Sequence, residues 1–156
     1  MPYFAFDKES GTATCILYDG NKTYCGGALC HPDDADMMSE RTGQEIAYRR
    51  AEIAALRGFR DEIKLELSSL KQLFYSINRS KYYDPKHYEA RMLNRQIKMK
   101  ESDLEIVKNH IKIKSEELRK YINDKDEFYK TVRHNREVGK TLQDRIKQSE
   151  EKESQD

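Results

Sequence analysis

The sequence predicts an α+β chain, mainly α, in which a small N-terminal antiparallel β-meander packs on a long, coiled-coil-like antiparallel helical hairpin followed by a third helical segment. Three observations lead there. Residues 1–31 hold four of the seven glycines and the only stretches with strand character. From residue 42 onward, apolar residues recur at the three-four spacing of a coiled-coil face. Only three prolines interrupt a chain that is 37% charged, and a background rich in Glu, Lys, Arg and Leu reads as long helices rather than linker.

The strands come first, at 3–6, 12–18 and 23–30. Between the last two lies Asp19-Gly20-Asn21-Lys22, which supplies residues that tolerate positive φ, as a tight hairpin turn needs. Lys8 to Gly11 serves as the first turn. Such a meander is marginal alone in water and must lay an apolar face on something else. Gly11-Thr12-Ala13-Thr14-Cys15 and Gly26-Gly27-Ala28-Leu29-Cys30 both read G-x-A-x-C. Ala and Cys two apart share one strand face and are small enough for a helix to pack closely above them.

The acidic connector that follows carries Asp33, Asp34, Asp36 and Glu40. Thr42-Gly43-Gln44-Glu45 then matches a capping box and predicts the start of the first helix. Its seams are Ile46, Ile53, Arg60, Leu67 and Phe74, and Arg49, Leu56, Ile63, Leu70 and Ile77, running to about Asn78. Asp84-Pro85 is a good N-cap followed by a residue preorganised for the first helical position. The second helix carries Ile97, Leu104, Ile111 and Leu118 on one seam and Leu93, Val107 and Tyr121 on the other. Asn123-Asp124 predicts a stop, with a third helix holding Phe128, Val132, Leu142 and Ile146; one unbroken helix from 85 to about 147 is the alternative, because the heptad phase continues. The resulting units are 1–41, a meander with its acidic connector; 42–122, the helical hairpin; 123–147, the C-terminal segment; and 148–156, a frayed tail. Met92, Met99, Ile106 and Ile113 form a second stripe on helix two. It predicts a cover from the sheet, the third helix or a second copy of the chain, so a homodimer is among the expected arrangements.

A mean hydropathy of -0.99 and the lack of any run near the roughly 20 apolar residues that a bilayer crossing takes argue against a membrane partner. The first residues lack the basic and apolar regions of a secretory signal, so a cytoplasmic protein with reduced thiols is expected. Cys15, Cys25, Cys30 and His31 are the one set with zinc-ligand chemistry. Their spacing, C-x9-C-x4-C-H, lacks the C-x2-C knuckle of specific zinc motifs, and strand cysteines that behave as small hydrophobes account for them. No Walker loop, G-x-S-x-G or G-x-G-x-x-G occurs. The expectation is a protein without enzymatic activity, cofactor or metal.

Charge order says more than the charge total of +1. Residues 1–45 carry eight acids and three bases, while residues 79–100 carry seven bases and two acids. The basic region, with Arg79, Lys81, Tyr82, Tyr83, Lys86 and Tyr88, interleaves cations with aromatics, which suits contact with phosphates and unpaired bases. A second basic line, Arg50, Arg57, Lys64 and Lys71, has Glu52, Glu62 and Glu66 nearby to neutralise it.

Gly26-Gly27-Ala28-Leu29-Cys30-His31-Pro32-Asp33-Asp34, followed by Thr42-Gly43-Gln44-Glu45-Ile46-Ala47-Tyr48-Arg49-Arg50-Ala51, resembles small accessory proteins encoded by bacteriophages of Gram-positive hosts, which read G-x-A-x-C-x-P-x-D and then G-x-x-I-A-x-x-R-A. The likeness covers residues 26–51. It implies a strand feeding an amphipathic helix, and a non-enzymatic protein that binds and inhibits a host protein in the host cytoplasm. A defence nuclease or its ribonucleoprotein, as met by anti-CRISPR proteins, is the implied class of target. On that reading the acidic residues Asp33, Asp34, Asp36 and Glu40 can occupy a groove built for phosphates. The basic residues Arg79, Lys81, Tyr82, Tyr83, Lys86 and Tyr88 form the second contact surface. Two other readings stand beside it: a nucleic-acid-binding protein using the basic region, and a structural coiled-coil oligomer.

Overall fold

A computed structural model describes residues 1–30, 39–79 and 88–154. Three strands, β1 (Pro2–Asp7), β2 (Thr12–Asp19) and β3 (Lys22–Leu29), are followed by two helices, α1 (Glu40–Asn78) and α2 (Tyr88–Glu153). The strands form one antiparallel sheet in the order β1-β2-β3. Both connections turn on glycine: Gly11 has φ 68° and Gly20 has φ 58°, a region that costs a side chain dearly. In the first turn Asp7 accepts from the Glu9 amide at 3.0 Å and from the Ser10 hydroxyl at 2.7 Å. The Cys30 amide donates to the Gly11 carbonyl at 3.0 Å and closes the far edge.

The G-x-A-x-C pattern explains how the sheet is covered. Cys15 pairs with Gly26 and Ala13 with Ala28, so these four residues share the face turned toward α1. Ala13, Cys15, Ala47 and Ala51 are fully buried and form one core cluster, with Phe6, Leu17, Ala28 and Tyr48 around it. Gly26 sits directly beneath the helix. A β-carbon there would stand well inside van der Waals contact of the Ala47 carbonyl oxygen and the Ala51 amide nitrogen. Farther along, Tyr24 fills the space above Gly58. Small residues at 43, 47, 51 and 58 thus let α1 lie almost backbone to backbone on β2 and β3.

Beyond the sheet, α1 packs on α2. Leu67, Leu93 and Ile97 form a second buried cluster with Leu70, Phe74, Ile77 and Leu104 around it, and Ile53, Ile63 and Val107 are buried as well. The helices run in opposite directions where they touch: Arg49 lies 4.9 Å from the Tyr121 ring centre, Lys114 is 4.0 Å from Glu52, Lys100 pairs with Glu66, and Lys71 is 3.1 Å from Glu101. The two arginines that interrupt the α1 seams are accommodated. Arg49 lies on Tyr121 and binds Glu45 at 2.8 Å, and half-buried Arg60 binds Asp61 at 3.0 Å.

Several expectations are corrected. The first helix starts at Glu40, not at Thr42: Ser39 is the N-cap, its hydroxyl accepting from the Thr42 amide at 3.2 Å. Ser39 is as good a cap as Thr42 and lies one turn earlier. No break occurs near Asn123, and there is no separate third helix among the described residues, because α2 is continuous over 66 residues. An Asn or Asp inside a helix costs only about 0.5 kcal/mol relative to Ala, less than a stop requires. The two helices are consequently unequal, 39 residues against 66. Residues 148–153 belong to α2 rather than to a frayed tail. Neither the sheet nor a third helix covers the second stripe, and Met99, Ile106 and Ile113 are all more than half exposed. The expected cap at Asp84-Pro85 lies outside the described residues.

Candidate functional site

The sequence-predicted zinc set does not converge. Cys15 and Gly26 share the face under α1, whereas Cys25, paired with Ile16, points to the other face and is exposed. His31 lies outside the described residues. Burial, with the nearby Cys25 thiol as a second cause, pushes the Cys15 thiol above its ordinary value, so Cys15 stays a neutral, packed side chain. No group of three or more His, Cys, Asp or Glu residues is placed to hold a metal ion among the described residues, and no described helix is long and apolar enough to cross a membrane.

An open groove of about 660 Å³ lies between the β2–β3 end of the sheet, α1 and α2, lined by Tyr24, Tyr48, Glu52, Phe59, His110 and Lys114 among others. Its charges neutralise one another. Lys22 pairs with Glu62 and Lys114 faces Glu52, while the Tyr48 hydroxyl donates to Glu52 at 3.4 Å. The Glu52 charge raises the Tyr48 phenol above its ordinary value, with burial adding to it. A phenol held protonated beside paired carboxylates makes a poor base or nucleophile.

Of the acidic residues singled out from the sequence, Asp33, Asp34 and Asp36 lie outside the described residues. Glu40 occupies the first turn of α1, where a carboxylate favours the helix N-terminus, and it accepts from the Gln44 side chain at 3.1 Å. Of the basic residues, Lys81, Tyr82, Tyr83 and Lys86 lie outside the described residues. Arg79 and Tyr88 are described, at the end of α1 and the start of α2.

At that end the side chains are assembled differently from those along the helix pair. The Arg79 guanidinium lies 5.1 Å from the centre of the Tyr75 ring, a cation–π contact, and Tyr75 and Tyr88 are both more than half exposed. Tyr75, which anchors Arg79, is not among the residues singled out from the sequence; its spacing of four from Arg79 places both on one helix face and is the signal that could have found it. Along the pair, Lys22, Lys71 and Lys100 are each matched to a glutamate on another element. Glu66 and Glu62 therefore serve α2 and the sheet and do not neutralise the α1 basic line as expected. The Glu66 carboxylate holds Lys100 above its ordinary value. Arg91, Arg95 and Lys98, by contrast, have no ion-pair partner among the described residues. Neither a protein-family model, nor a curated protein, nor a solved structure matches this chain.

Proposed function

We propose that this chain is a non-enzymatic phage accessory protein that binds and inhibits a host protein, an anti-CRISPR-like inhibitor of a nucleic-acid-handling effector. In this reading α1 and α2 form a long antiparallel hairpin, and the end at which α1 stops and α2 starts is the contact surface. The observation that carries it is the distribution of matched and unmatched cations. Lys71 and Lys100 pair with glutamates of the facing helix, while Arg91, Arg95 and Lys98 stand unmatched among the described residues in the first turns of α2, which starts at exposed Tyr88. Unmatched arginines and exposed tyrosines are the side chains that dominate binding energy at interfaces. An acidic protein surface complements them.

The test is phage plaquing on host strains that each carry one nucleic-acid-targeting defence, with and without this chain expressed. Expression is expected to restore plaquing against one defence, and Arg91→Glu with Arg95→Glu is expected to abolish the rescue while leaving the circular dichroism spectrum unchanged. Unchanged plaquing on every strain overturns the reading.

A second reading, direct binding of single-stranded nucleic acid, is favoured by the exposed rings of Tyr75, on which Arg79 lies, and of Tyr88, which can stack on bases. It requires salt-dependent binding to an oligonucleotide, and reversing Arg79, Arg91 and Arg95 should then reduce the salt slope by about 2, at roughly 0.7 per phosphate contact. Wild-type protein with no affinity at low salt removes it.

A further inference from the structure

The two edges of the sheet differ. The Cys30 amide bonds the Gly11 carbonyl, and residues 11 and 30 continue the register that pairs Thr12 with Leu29. Bonded pairs alternate with unbonded ones in an antiparallel ladder. Odd-numbered residues of β2 therefore bond β3 and even-numbered ones bond β1. The outward amides and carbonyls are those of Thr23, Cys25, Gly27 and Leu29 on β3, and those of Phe4 and Phe6 on β1. On β3 the Arg50 guanidinium donates to the outward Gly27 carbonyl at 2.5 Å, so a charged side chain occupies the middle of that edge and keeps another strand from pairing there. On β1, no side chain among the described residues bonds the outward groups of Phe4 or Phe6. This strand, Pro2-Tyr3-Phe4-Ala5-Phe6-Asp7, carries one charge, and all of it but Phe6 is exposed. Tyr48 covers one side of Phe4, its ring centre 6.3 Å away, and an open groove lined by Pro2, Phe4, Arg41 and Gln44 runs along the edge.

We propose that β1 pairs with β1 of a second copy, antiparallel about a twofold axis at Ala5, joining two three-stranded sheets into one. A single open edge on each molecule selects this partner, because like edges close a dimer, whereas pairing of β1 with β3 would run on into a filament. The backbone donors select the register. With Ala5 on the axis, Phe4 lies opposite Phe6 of the second copy, and the two such pairs use every outward amide of β1. Sliding the second strand by two residues one way sets Phe6 against Pro2, which has no N–H to give. Sliding it the other way sets Phe4 against Lys8, outside the strand. The side chains agree with the register. Ala5 meets its own copy in an unbonded pair, where Cα atoms come within about 4.5 Å and a small side chain fits. Asp7, the one charge, faces Tyr3. Each α1 lies on β2 and β3, so the two copies of α1 would stand about 19 Å apart, four strand spacings, roughly twice the distance of helices in contact. The Phe4 and Phe6 rings of both copies stand in that gap. α2 packs on the side of α1 that carries Arg49 and Leu67, away from the sheet, and leaves the edge clear.

The pairing does not use Tyr75, Arg79, Arg91 or Arg95, so its failure and the failure of the proposed function are read independently. Two short edges with their phenylalanines make a small interface, below about 1,200 Å², of the class that associates weakly. Mass by sedimentation equilibrium is therefore expected to rise from 18.4 kDa toward twice that value between about 1 μM and about 1 mM. Ala5 is exposed in the single copy, and the axis would set like charges directly opposite each other. Ala5→Glu and Ala5→Lys are each expected to hold the chain at the monomer mass with an unchanged circular dichroism spectrum, and an equimolar mixture of the two is expected to recover the doubled mass. In chains whose Cys25 and Cys30 are replaced by serine, Ala5→Cys is expected to form a disulfide-linked dimer on mild oxidation, and Tyr3→Cys, which faces Asp7, is not. A wild-type mass that stays at one chain through that range overturns the proposal. So does a dimer that both Ala5 substitutions leave intact, which would put the contact on another surface such as the Met99 and Ile106 stripe, and so does Tyr3→Cys cross-linking as readily as Ala5→Cys.

Discussion

Gly26 shows how much one residue decides. It lies in β3 opposite Cys15, and the helix backbone passes so close that even a methyl group would collide with main-chain atoms of Ala47 and Ala51. Backbone cannot rotate away as a side chain can, so Gly26→Ala must push α1 off the sheet. The expected cost is about 3 kcal/mol, the upper end for overpacking, measured as a fall in the urea midpoint. Gly27 is the control. Its added β-carbon would meet only the Ala13 carbonyl oxygen, at 3.8 Å, so Gly27→Ala should change stability by no more than about 0.5 kcal/mol. Equal effects from the two substitutions would contradict the close approach. The contact is legible in the sequence: Ala13, Cys15, Gly26 and Ala28 fall two apart on paired strands, and Gly43, Ala47 and Ala51 fall four apart on the helix that covers them. The side chains at the helix-pair end are less legible, because their importance depends on which glutamates reach which lysines across elements. Glu62 and Glu66 look like partners for the α1 basic line until the sheet and α2 are in place.

Among the elements, the β1–β2 turn carries a pH dependence. The Ser10 hydroxyl and then the Glu9 amide donate to Asp7 and hold its carboxyl below the ordinary value. A carboxylate with a depressed value stabilises the fold above its unfolded-state pKa, and that contribution is lost as pH falls through the folded one. Wild type should therefore exceed Asp7→Asn in urea midpoint at pH 7, and the gap should close below about pH 4. A gap that persists undiminished in acid would show that the charge is not what orders the turn. The long helix teaches a different lesson about reading sequence. Asn123-Asp124 has the composition of a stop, and Asp124 with Glu127 that of a new start. Yet Leu118, Tyr121, Phe128 and Val132 keep one heptad phase through it, and an unbroken phase carries more weight than a cap motif that a continuing helix tolerates at small cost. Ser39 is hard to pick out from sequence for a related reason: two cap-forming residues three apart compete, and the covering sheet fixes which turn is the first.

At the scale of the molecule, the two core clusters lie within residues 6–107, and neither includes residues 130–153, which run on past the start of α1. A chain ending at Tyr129 should keep the sheet, both clusters and the α1–α2 contacts, and melt within about 3 °C of the full chain when both are compared as monomers. A larger loss would mean that residues 130–153 support the folded core. The charge distribution acquires a spatial meaning here as well. Residues 130–147 hold six bases and two acids and residues 148–153 one base and three acids, so the projecting part of α2 is a basic stretch with an acidic end. The length of α2 has a consequence for how the protein behaves in solution. Sixty-six residues at 1.5 Å each make a rod of about 100 Å, and such a rod alone has a radius of gyration of about 29 Å, whereas a globular chain of this size would have roughly 15 Å. A single copy will diffuse slowly and emerge early from a sizing column, as a far heavier compact protein would.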